Sequence, residues 1–153
     1  MKSGLYFNSA DFDDLKKHFH LLHNEFINQI EQKIDLNKYL EKIYKNAKLY
    51  EYWEKSVLIG FAAVYENNGI ENPAYLTNIS VVKGKERMGI ASNLLQFVIE
   101  SLKTKGYKYL DLEAKKNNNI ALEMYTKKGF TVVGEKEKDS LLMQIHLYKE
   151  ENP

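Results

Sequence analysis

The chain of 153 residues contains no cysteine and carries almost no net charge, with 22 Lys and Arg against 21 Asp and Glu. Without cysteine there can be no disulfide, no zinc site built on thiolates and no cysteine nucleophile. A formal net charge of +1 lacks the basic excess that is typical of proteins whose general partner is a nucleic acid or an anionic membrane. We therefore expect neither partner, and any basic patch must be local.

Long apolar segments are absent as well. The N-terminal residues MKSGLYFNSADFDDL lack the apolar core of a signal peptide, and no run approaches the roughly 18 apolar residues of a membrane span. These absences predict a soluble, cytoplasmic protein with no membrane partner. With 44% hydrophobic residues, a chain of this length can bury a sizeable core but leaves little room for a second full domain. We expect one domain over residues 1–153.

Hydrophobic periodicity predicts a strand, two helices, three strands, a helix, a strand, a helix and two strands, in that order. The first helix has an apolar face at steps of three and four residues between Phe12 and Ile30, and Ser9 or Asp11 is placed to cap it. The second helix begins near Asp35. The expected boundaries of the later elements are strands Leu49–Trp53, Val57–Tyr65 and Ala74–Val82, a helix from Ile90 to Gly106, strand Tyr107–Ala114, helix Asn118–Lys128, and strands Phe130–Gly134 and Leu141–Tyr148.

Residues 79–92, ISVVKGKERMGIAS, join an apolar strand to an amphipathic helix through a short basic turn. Small residues at Gly89 and Ala91 allow the backbone to approach a ligand, so that N–H groups of the helix's first turn can point at phosphate oxygens. The Walker spacing and the G-x-G-x-x-G fingerprint are both absent. The turn therefore suits a pyrophosphate in a protein that is neither a nucleoside triphosphatase nor a dehydrogenase. Three basic residues surround it: Lys83, Lys85 and Arg87.

Two patterns stand in order along the chain. Residues 86–91 read Glu-Arg-Met-Gly-Ile-Ala. The second pattern consists of Asn118, Ala121, Tyr125, Gly129 and Phe130. Together they resemble the pyrophosphate motif, Arg/Gln-x-x-Gly-x-Gly/Ala, and the second motif of the GNAT superfamily of acetyl-CoA-dependent N-acetyltransferases. The resemblance covers nearly the whole chain and is most specific over residues 74–130. Position 86 departs from the motif, since Glu86 stands where the motif has Arg or Gln. A carboxylate beside a pyrophosphate is repulsive unless it turns outward.

The resemblance implies an α/β fold: a mixed, mostly antiparallel, twisted sheet of about six to seven strands, with a central splayed parallel pair and about four flanking helices. Acetyl-CoA would insert its pantetheine arm between the strands Ala74–Val82 and Tyr107–Ala114. The backbone of Ile79 to Val81 would hold the thioester, with the Val81 N–H donating to the acetyl oxygen. The implied cofactor-binding residues are Ile79, Val81, Arg87, Met88, Gly89, Ile90, Ala91, Ser92, Asn118 and Tyr125.

The implied activity is transfer of the acetyl group of acetyl-CoA, a co-substrate used without a metal, to a primary amine by direct attack in a ternary complex. Tyr125 would be the catalytic donor to the departing thiolate. Asn118 would be a helix cap, a pantetheine contact or both. The general base is left open among Glu113, Glu51, Glu66, a tyrosine and ordered water. The sequence also leaves the oligomeric state open, and it is compatible with a homodimer.

The expected acceptor is a small-molecule amine, first an amino sugar or its nucleotide conjugate, with a protein amine second. Rings at Tyr50, Tyr52 and Trp53 are expected to contribute to its pocket. Two other classes stay in play: a non-catalytic CoA-binding sensor or interaction module, which Glu86 favours, and an α/β domain with no ligand.

Three histidines on the first helix could suggest a metal: His18, His20 and His23. A catalytic zinc site normally needs three protein ligands with supporting partners. A polar helix face is therefore the favoured interpretation, and no metal is expected. The functional alternative is a histidine that meets substrate or acts as the base.

Overall fold

The computed structural model describes residues 1–22, 35–66 and 69–148. Its elements follow the order that the periodicity predicts. In chain order they are β1 (Gly4–Phe7), α1 (Phe12–His20), α2 (Leu36–Asn46), β2 (Lys48–Glu54), β3 (Val57–Tyr65), β4 (Ala74–Val81), α3 (Ile90–Lys105), β5 (Tyr109–Lys115), α4 (Asn119–Lys128), β6 (Thr131–Glu137) and β7 (Ser140–His146). The positions of Phe26, Ile30 and His23 lie outside the described residues.

The strands form one seven-stranded sheet in the order β1-β2-β3-β4-β5-β7-β6. The pair β4–β5 is parallel, whereas β1–β2, β2–β3, β5–β7 and β6–β7 are antiparallel. This is the mixed sheet with a central parallel pair that the resemblance implied, so the predicted fold class is confirmed. None of the described helices is long and apolar enough to cross a membrane.

The chain consists of two compact units that share β4 and α3. The first unit comprises Met1–Val64 and Asn78–Leu95, and the second comprises Tyr65–Thr77 and the chain from Gln96 onward. The single-domain organisation predicted over residues 1–153 stays a prediction.

The parallel pairing is short. It runs from Ala74 opposite Leu110 to Leu76 opposite Leu112 in the described register. On its other edge β5 pairs with β7 over all seven of its residues, from Tyr109 to Lys115. Three paired residues in strands of eight and seven agree with the splayed pair that the resemblance implied.

Side-chain caps set the starts of the first two helices. Asp11 and Asp14 form a reciprocal capping box at the start of α1, with N–H to carboxylate distances of 2.8 and 2.9 Å, which satisfies two of the helix's orphan N–H groups. Asp35 caps α2 by accepting from the Lys38 N–H at 3.3 Å. The predicted capping role of Asp11 and the predicted start of the second helix are therefore correct.

The fifth strand begins two residues later than predicted, because Gly106 and Tyr107 form the C-terminal cap that follows α3. Its N–H donates to the Leu102 carbonyl, and the Gly106 N–H donates to the Lys103 carbonyl, both at 3.0 Å. Gly106 has φ +90°, so the end of α3 is a Schellman motif with glycine in the left-handed region. The Tyr107 hydroxyl also donates to the Glu66 carbonyl at 2.6 Å.

The last hairpin also differs from the predicted boundaries. The predicted strands Phe130–Gly134 and Leu141–Tyr148 leave residues 135–140 for the turn, but β6 continues through Glu137, β7 begins at Ser140, and only Lys138 and Asp139 form the turn. Register shifts between Val132 and Gly134 and between Glu135 and Glu137 let the strand carry extra residues without losing its pairing with β7.

Glu51 is a fully buried carboxylate in β2 that binds the connection between β1 and α1 to the sheet. Its Oε2 accepts from the Ser9 and Ala10 N–H groups at 2.8 and 2.9 Å. Its Oε1 accepts from the Ser9 hydroxyl and, at 2.8 Å, from the Trp53 indole N–H. Four donors replace the water that this carboxylate loses on burial, as a buried charge requires.

Glu51→Gln is expected to lower the free energy of unfolding by about 2–3 kcal/mol, because either orientation of the amide places an NH2 group against two donors. Urea unfolding measures this. Glu54→Gln is the matched control on the same strand: it removes only an exposed ion pair with Lys85 and should cost less than about 1 kcal/mol. Equal effects for the two variants would refute the anchoring role of Glu51.

Candidate active site

The turn between β4 and α3 reverses direction through three residues with positive φ. Gly84 has φ +92°, Arg87 +64° and Gly89 +82°. The left-handed region costs a glycine nothing but is uncommon for arginine, so the turn holds Arg87 in a strained backbone conformation. Glu86 stabilises the turn, since its carboxylate accepts from the Gly84 N–H at 2.9 Å.

The first turn of α3 begins at Gly89, whose carbonyl accepts from the Asn93 N–H at 3.0 Å. Because Gly89 has no side chain, it cannot cap the orphan N–H groups of the following residues. Residues 86–89 are exposed, and Ala91 and Ser92 are half-buried. The positive end of the helix dipole is therefore open to an anion at this turn.

The basic residues around this turn are not equivalent. Lys85 pairs with Glu54 at 3.1 Å and is thereby drawn to β2. Lys83 and Arg87 are exposed, and within residues 1–22, 35–66 and 69–148 neither has an ion-pair partner. These two are the cations available to an anion at the turn.

Side chains alternate along β4 between a buried face and a half-buried face. Asn78 and Ser80 are buried, whereas Ile79 and Val81 are half-buried. The Val82 N–H donates to the Ile59 carbonyl of β3 at 2.9 Å. Successive N–H groups of an extended strand point to opposite edges, so the Val81 N–H points to the edge away from β3.

His18 joins three elements inside the first unit. Its Nδ1 lies 2.8 Å from the Leu58 carbonyl of β3, and its Nε2 lies 2.9 Å from the Ser80 hydroxyl of β4. The ring packs edge-on against Phe61, with centroids 4.9 Å apart. Only 1% of the residue is exposed, and burial lowers its pKa to about 4 despite the hydrogen bond to Leu58. The predicted polar helix face is therefore wrong at this position.

The second sequence pattern forms a helix that is capped at both ends. Asn118 accepts from the Ala121 N–H at 3.2 Å at the start of α4. At the other end Gly129 has φ +109°, and the Phe130 and Gly129 N–H groups donate to the Tyr125 and Thr126 carbonyls at 3.0 Å. This is again a Schellman motif. The spacing from Asn118 to Phe130 thus has a structural reason, and the cap role of Asn118 is present.

Tyr125 is buried in α4 and packs against Phe130, with ring centroids 5.8 Å apart. Burial raises the pKa of its hydroxyl to about 12. The group is therefore protonated at neutral pH and can donate a hydrogen bond.

The predicted site residues fall into two groups. Ile79, Val81 and residues 87–92 lie on one continuous strand, turn and helix of the first unit, whereas Asn118 and Tyr125 lie on one helix of the second unit.

The candidate bases differ in their partners. The carboxylate of Glu51 accepts hydrogen bonds from four donors, and the carboxylate of Glu66 forms an ion pair with Lys105 at 2.6 Å. Glu113 is half-buried on β5, and no hydrogen bond or ion pair involves its carboxylate among the described residues.

Two features escaped the sequence analysis. One is the anchoring role of Glu51, and the other is the contact of His18 with Ser80. The second had a signal, since Asn78 and Ser80 occupy core-facing positions in the alternation of β4. The rings of Tyr50 and Trp53 were expected near the acceptor, but the structure buries both in the core. The described residues contain no group of three His, Cys, Asp or Glu side chains that could hold a metal ion.

The sequence model of the Acetyltransferase (GNAT) family matches residues 14–130. The Arabidopsis thaliana protein "GCN5-related N-acetyltransferase 6, chloroplastic" is 38% identical over 65 residues, and the match covers 42% of this chain and only 23% of that protein.

Solved structures share the fold. The PaiA N-acetyltransferase of Thermoplasma acidophilum, in complex with coenzyme A, has a TM-score of 0.71 at 20% identity, covering 94% of this chain and 99% of that one. The ribosomal-protein-S18-alanine N-acetyltransferase of Escherichia coli has a TM-score of 0.72 at 18% identity, covering 96% of each chain.

The burial of a neutral His18 predicts a loss of stability between pH 6.5 and 4. In this window the unfolded chain takes up a proton at His18 that the folded protein, with a pKa of about 4, does not bind, so the free energy of unfolding falls as the pH falls. The difference from the ordinary value of 6.5 corresponds to roughly 3 kcal/mol. Urea unfolding at several pH values measures it.

His20→Gln, a change of an exposed histidine on the same helix, should keep the pH dependence of the unmodified protein. His18→Gln should remove most of it. If His18→Gln left the slope unchanged, the pH dependence would have to come from other groups.

Proposed function

The chain belongs to the GNAT acetyltransferase family, and from this premise we propose that it transfers the acetyl group of acetyl-CoA to the primary amine of a small molecule. The neutral amine attacks the thioester directly in a ternary complex, so that a C–N bond forms, the C–S bond breaks, CoA leaves as the thiolate, and one proton of the amine passes to a base or to water. The observation that carries the proposal is the continuous segment 79–92, a strand, a left-handed turn and an uncapped helix start.

The pyrophosphate of acetyl-CoA is assigned to the turn at Arg87–Ser92. Three properties support this: the uncapped N–H groups after Gly89, the dipole of the 16-residue helix α3, and the cations Lys83 and Arg87. Glu86 does not argue against it, because its carboxylate is engaged by the Gly84 N–H and helps to shape the turn. The backbone N–H groups carry most of the binding.

The thioester is assigned to the backbone of Ile79 to Val81. The direction of the Val82 N–H toward β3 leaves the Val81 N–H on the opposite edge, where it can donate to the acetyl oxygen as negative charge develops.

Tyr125 is assigned the role of donor to the departing thiolate, on the strength of the motif that contains it. With a pKa of about 12, against roughly 8.5 for a free thiol, the hydroxyl keeps its proton. Tyr125 therefore acts as a hydrogen-bond donor that stabilises the thiolate and does not need to transfer its proton. Among the carboxylates considered as base, Glu113 is the one whose oxygens are not already engaged in the described structure.

The acceptor is proposed to be a compact amine, with an amino sugar or its nucleotide conjugate first. A near-neutral chain, with formal net charge +1, offers no general attraction to a charged polymer. A protein amine is the second candidate: the Escherichia coli structural relative is named for a ribosomal-protein alanine.

A screen of amino sugars, polyamines, aminoglycosides and peptides, with release of free CoA thiol as the readout, tests the proposal. Turnover is expected with small amines. Efficient turnover with peptides alone would replace the small-molecule acceptor by a protein. No thiol release with any amine, together with measurable acetyl-CoA binding, would favour a CoA-binding module without catalysis.

Gly89→Ala should weaken acetyl-CoA binding at least roughly tenfold, since an L-residue at φ +82° costs about 1–2 kcal/mol and its Cβ stands where the backbone must approach phosphate. Calorimetry measures the dissociation constant. Gly4→Ala is the matched control, because Gly4 also has positive φ and nothing within 4 Å of an added Cβ. The Gly4→Ala variant should lose about as much free energy of unfolding as Gly89→Ala, while its dissociation constant for acetyl-CoA stays unchanged. Equal affinities in both variants would remove the pyrophosphate from this turn.

Tyr125→Phe should lower kcat by roughly 10- to 1,000-fold with little change in CoA affinity, because the hydroxyl matters mainly as the thiolate leaves. Steady-state kinetics and calorimetry separate the two quantities. Tyr107→Phe removes another hydrogen-bonded hydroxyl of the second unit and should reduce stability while kcat stays unchanged. Full turnover in the Tyr125 variant would leave its ring with a packing role only.

A further inference from the structure

A chain of polar side chains lies on the buried face of β4, directly beside the residues assigned to the thioester. Ser80 Oγ lies 3.0 Å from Asn78 Oδ1 and 2.9 Å from His18 Nε2, and His18 Nδ1 lies 2.8 Å from the Leu58 carbonyl oxygen. The three side chains are at most 7% exposed. All four residues belong to the first unit, and the chain joins α1, β3 and β4.

The hydrogens available on these groups determine which atom donates in each of the three hydrogen bonds. The Leu58 carbonyl can only accept, so Nδ1 carries the hydrogen and the neutral ring accepts at Nε2. The single hydroxyl hydrogen of Ser80 then points at His18. The Asn78 oxygen faces Ser80 in the structure, and with the Ser80 hydrogen directed at His18 that link has no hydrogen. A half-turn of the Asn78 amide, which exchanges its oxygen and nitrogen, places the NH2 group there and supplies the hydrogen. Asn78 thus donates to Ser80, Ser80 to His18, and His18 to Leu58.

Such a chain constrains the rotation of β4 more tightly than apolar packing would. Apolar contacts tolerate small rotations of a strand, whereas three hydrogen bonds in series require each donor to meet its acceptor within a narrow range of angles. Asn78 and Ser80 alternate with Ile79 and Val81, so holding the even-numbered side chains also sets the direction of the odd-numbered N–H groups. Two backbone hydrogen bonds hold the strand's end: Val82 N–H to Ile59 O at 2.9 Å and Lys83 N–H to Leu21 O at 2.8 Å.

We propose that the His18–Ser80–Asn78 chain is a positioning device that keeps the Val81 N–H aimed at the acetyl oxygen. This inference rests on the proposed function, because it assumes that β4 holds the thioester. The three side chains act through the backbone and do not touch the substrate. Their contribution therefore belongs to the acetyl group and its transition state, and CoA without the acetyl group should bind equally well when the chain is broken.

Ser80→Ala breaks the chain at its centre and removes one oxygen atom. We expect kcat/KM for acetyl-CoA to fall roughly 10- to 100-fold, because a misaligned oxyanion donor loses much of its effect, while the dissociation constant of CoA, measured by calorimetry, stays within about twofold. Ser80→Thr keeps the hydroxyl and should recover most of the activity.

Ser140→Ala is the matched control. Ser140 is fully buried in β7, and its hydroxyl has no hydrogen-bond partner among the described residues. This variant should leave kcat/KM for acetyl-CoA and the dissociation constant of CoA unchanged. Thermal unfolding of all variants separates a loss of fold from a loss of alignment, since kinetics are compared well below each Tm.

A purely structural role predicts a different result, namely a lower Tm for Ser80→Ala with kcat/KM within twofold of the unmodified protein, and this outcome would overturn the inference. If Ser80→Ala does not fold, Asn78→Ala, which removes only the outer donor, is measured in the same way with the same two outcomes. An unmodified protein that releases no thiol with any amine would overturn the proposed function, and this inference with it. Normal turnover in the unmodified protein combined with unaffected variants would overturn the positioning role alone.

Discussion

The alternation of β4 is the constraint on which the candidate site depends. A strand presents its side chains to two faces and its N–H groups to two edges. Here the buried face carries Asn78 and Ser80, one edge is bonded to β3 at Ile59, and the Val81 N–H, to which the proposal assigns the acetyl oxygen, points to the other edge. The same strand pairs with β5 over three residues in the described register, and the proposed thioester site lies on its carboxyl-terminal part.

The two sequence motifs that resemble the family are physically different. The turn before α3 places backbone donors at an exposed, uncapped helix start, which is a binding property. The pattern from Asn118 to Phe130 encodes a helix with an amide cap and a Schellman end. Most of its spacing therefore secures the helix itself, and only the Tyr125 hydroxyl carries the proposed chemistry.

Two buried polar residues of this protein, Glu51 and His18, have structural hydrogen bonds on all of their side-chain polar atoms. Glu51 is a candidate base by residue type, but four donors engage its two oxygens, and these contacts anchor the connection before α1. His18 is held neutral, with its pKa lowered to about 4 by burial, and both ring nitrogens have partners. Buried groups whose hydrogen bonds are satisfied within the core stabilise the arrangement of the elements that they join.

The sequence by itself determined the order of the elements, the caps at Asp11 and Asn118, the start of the second helix near Asp35, the glycine helix ends and the glycine-containing turn before α3. Each of these depends on residues within about one helical turn of one another. Tertiary structure alone decided that Glu51 meets the chain before α1, that His18 faces Ser80, and that Tyr50 and Trp53 lie in the core. Those outcomes depend on partners that are distant in the chain, and local composition carries no information about which distant groups meet.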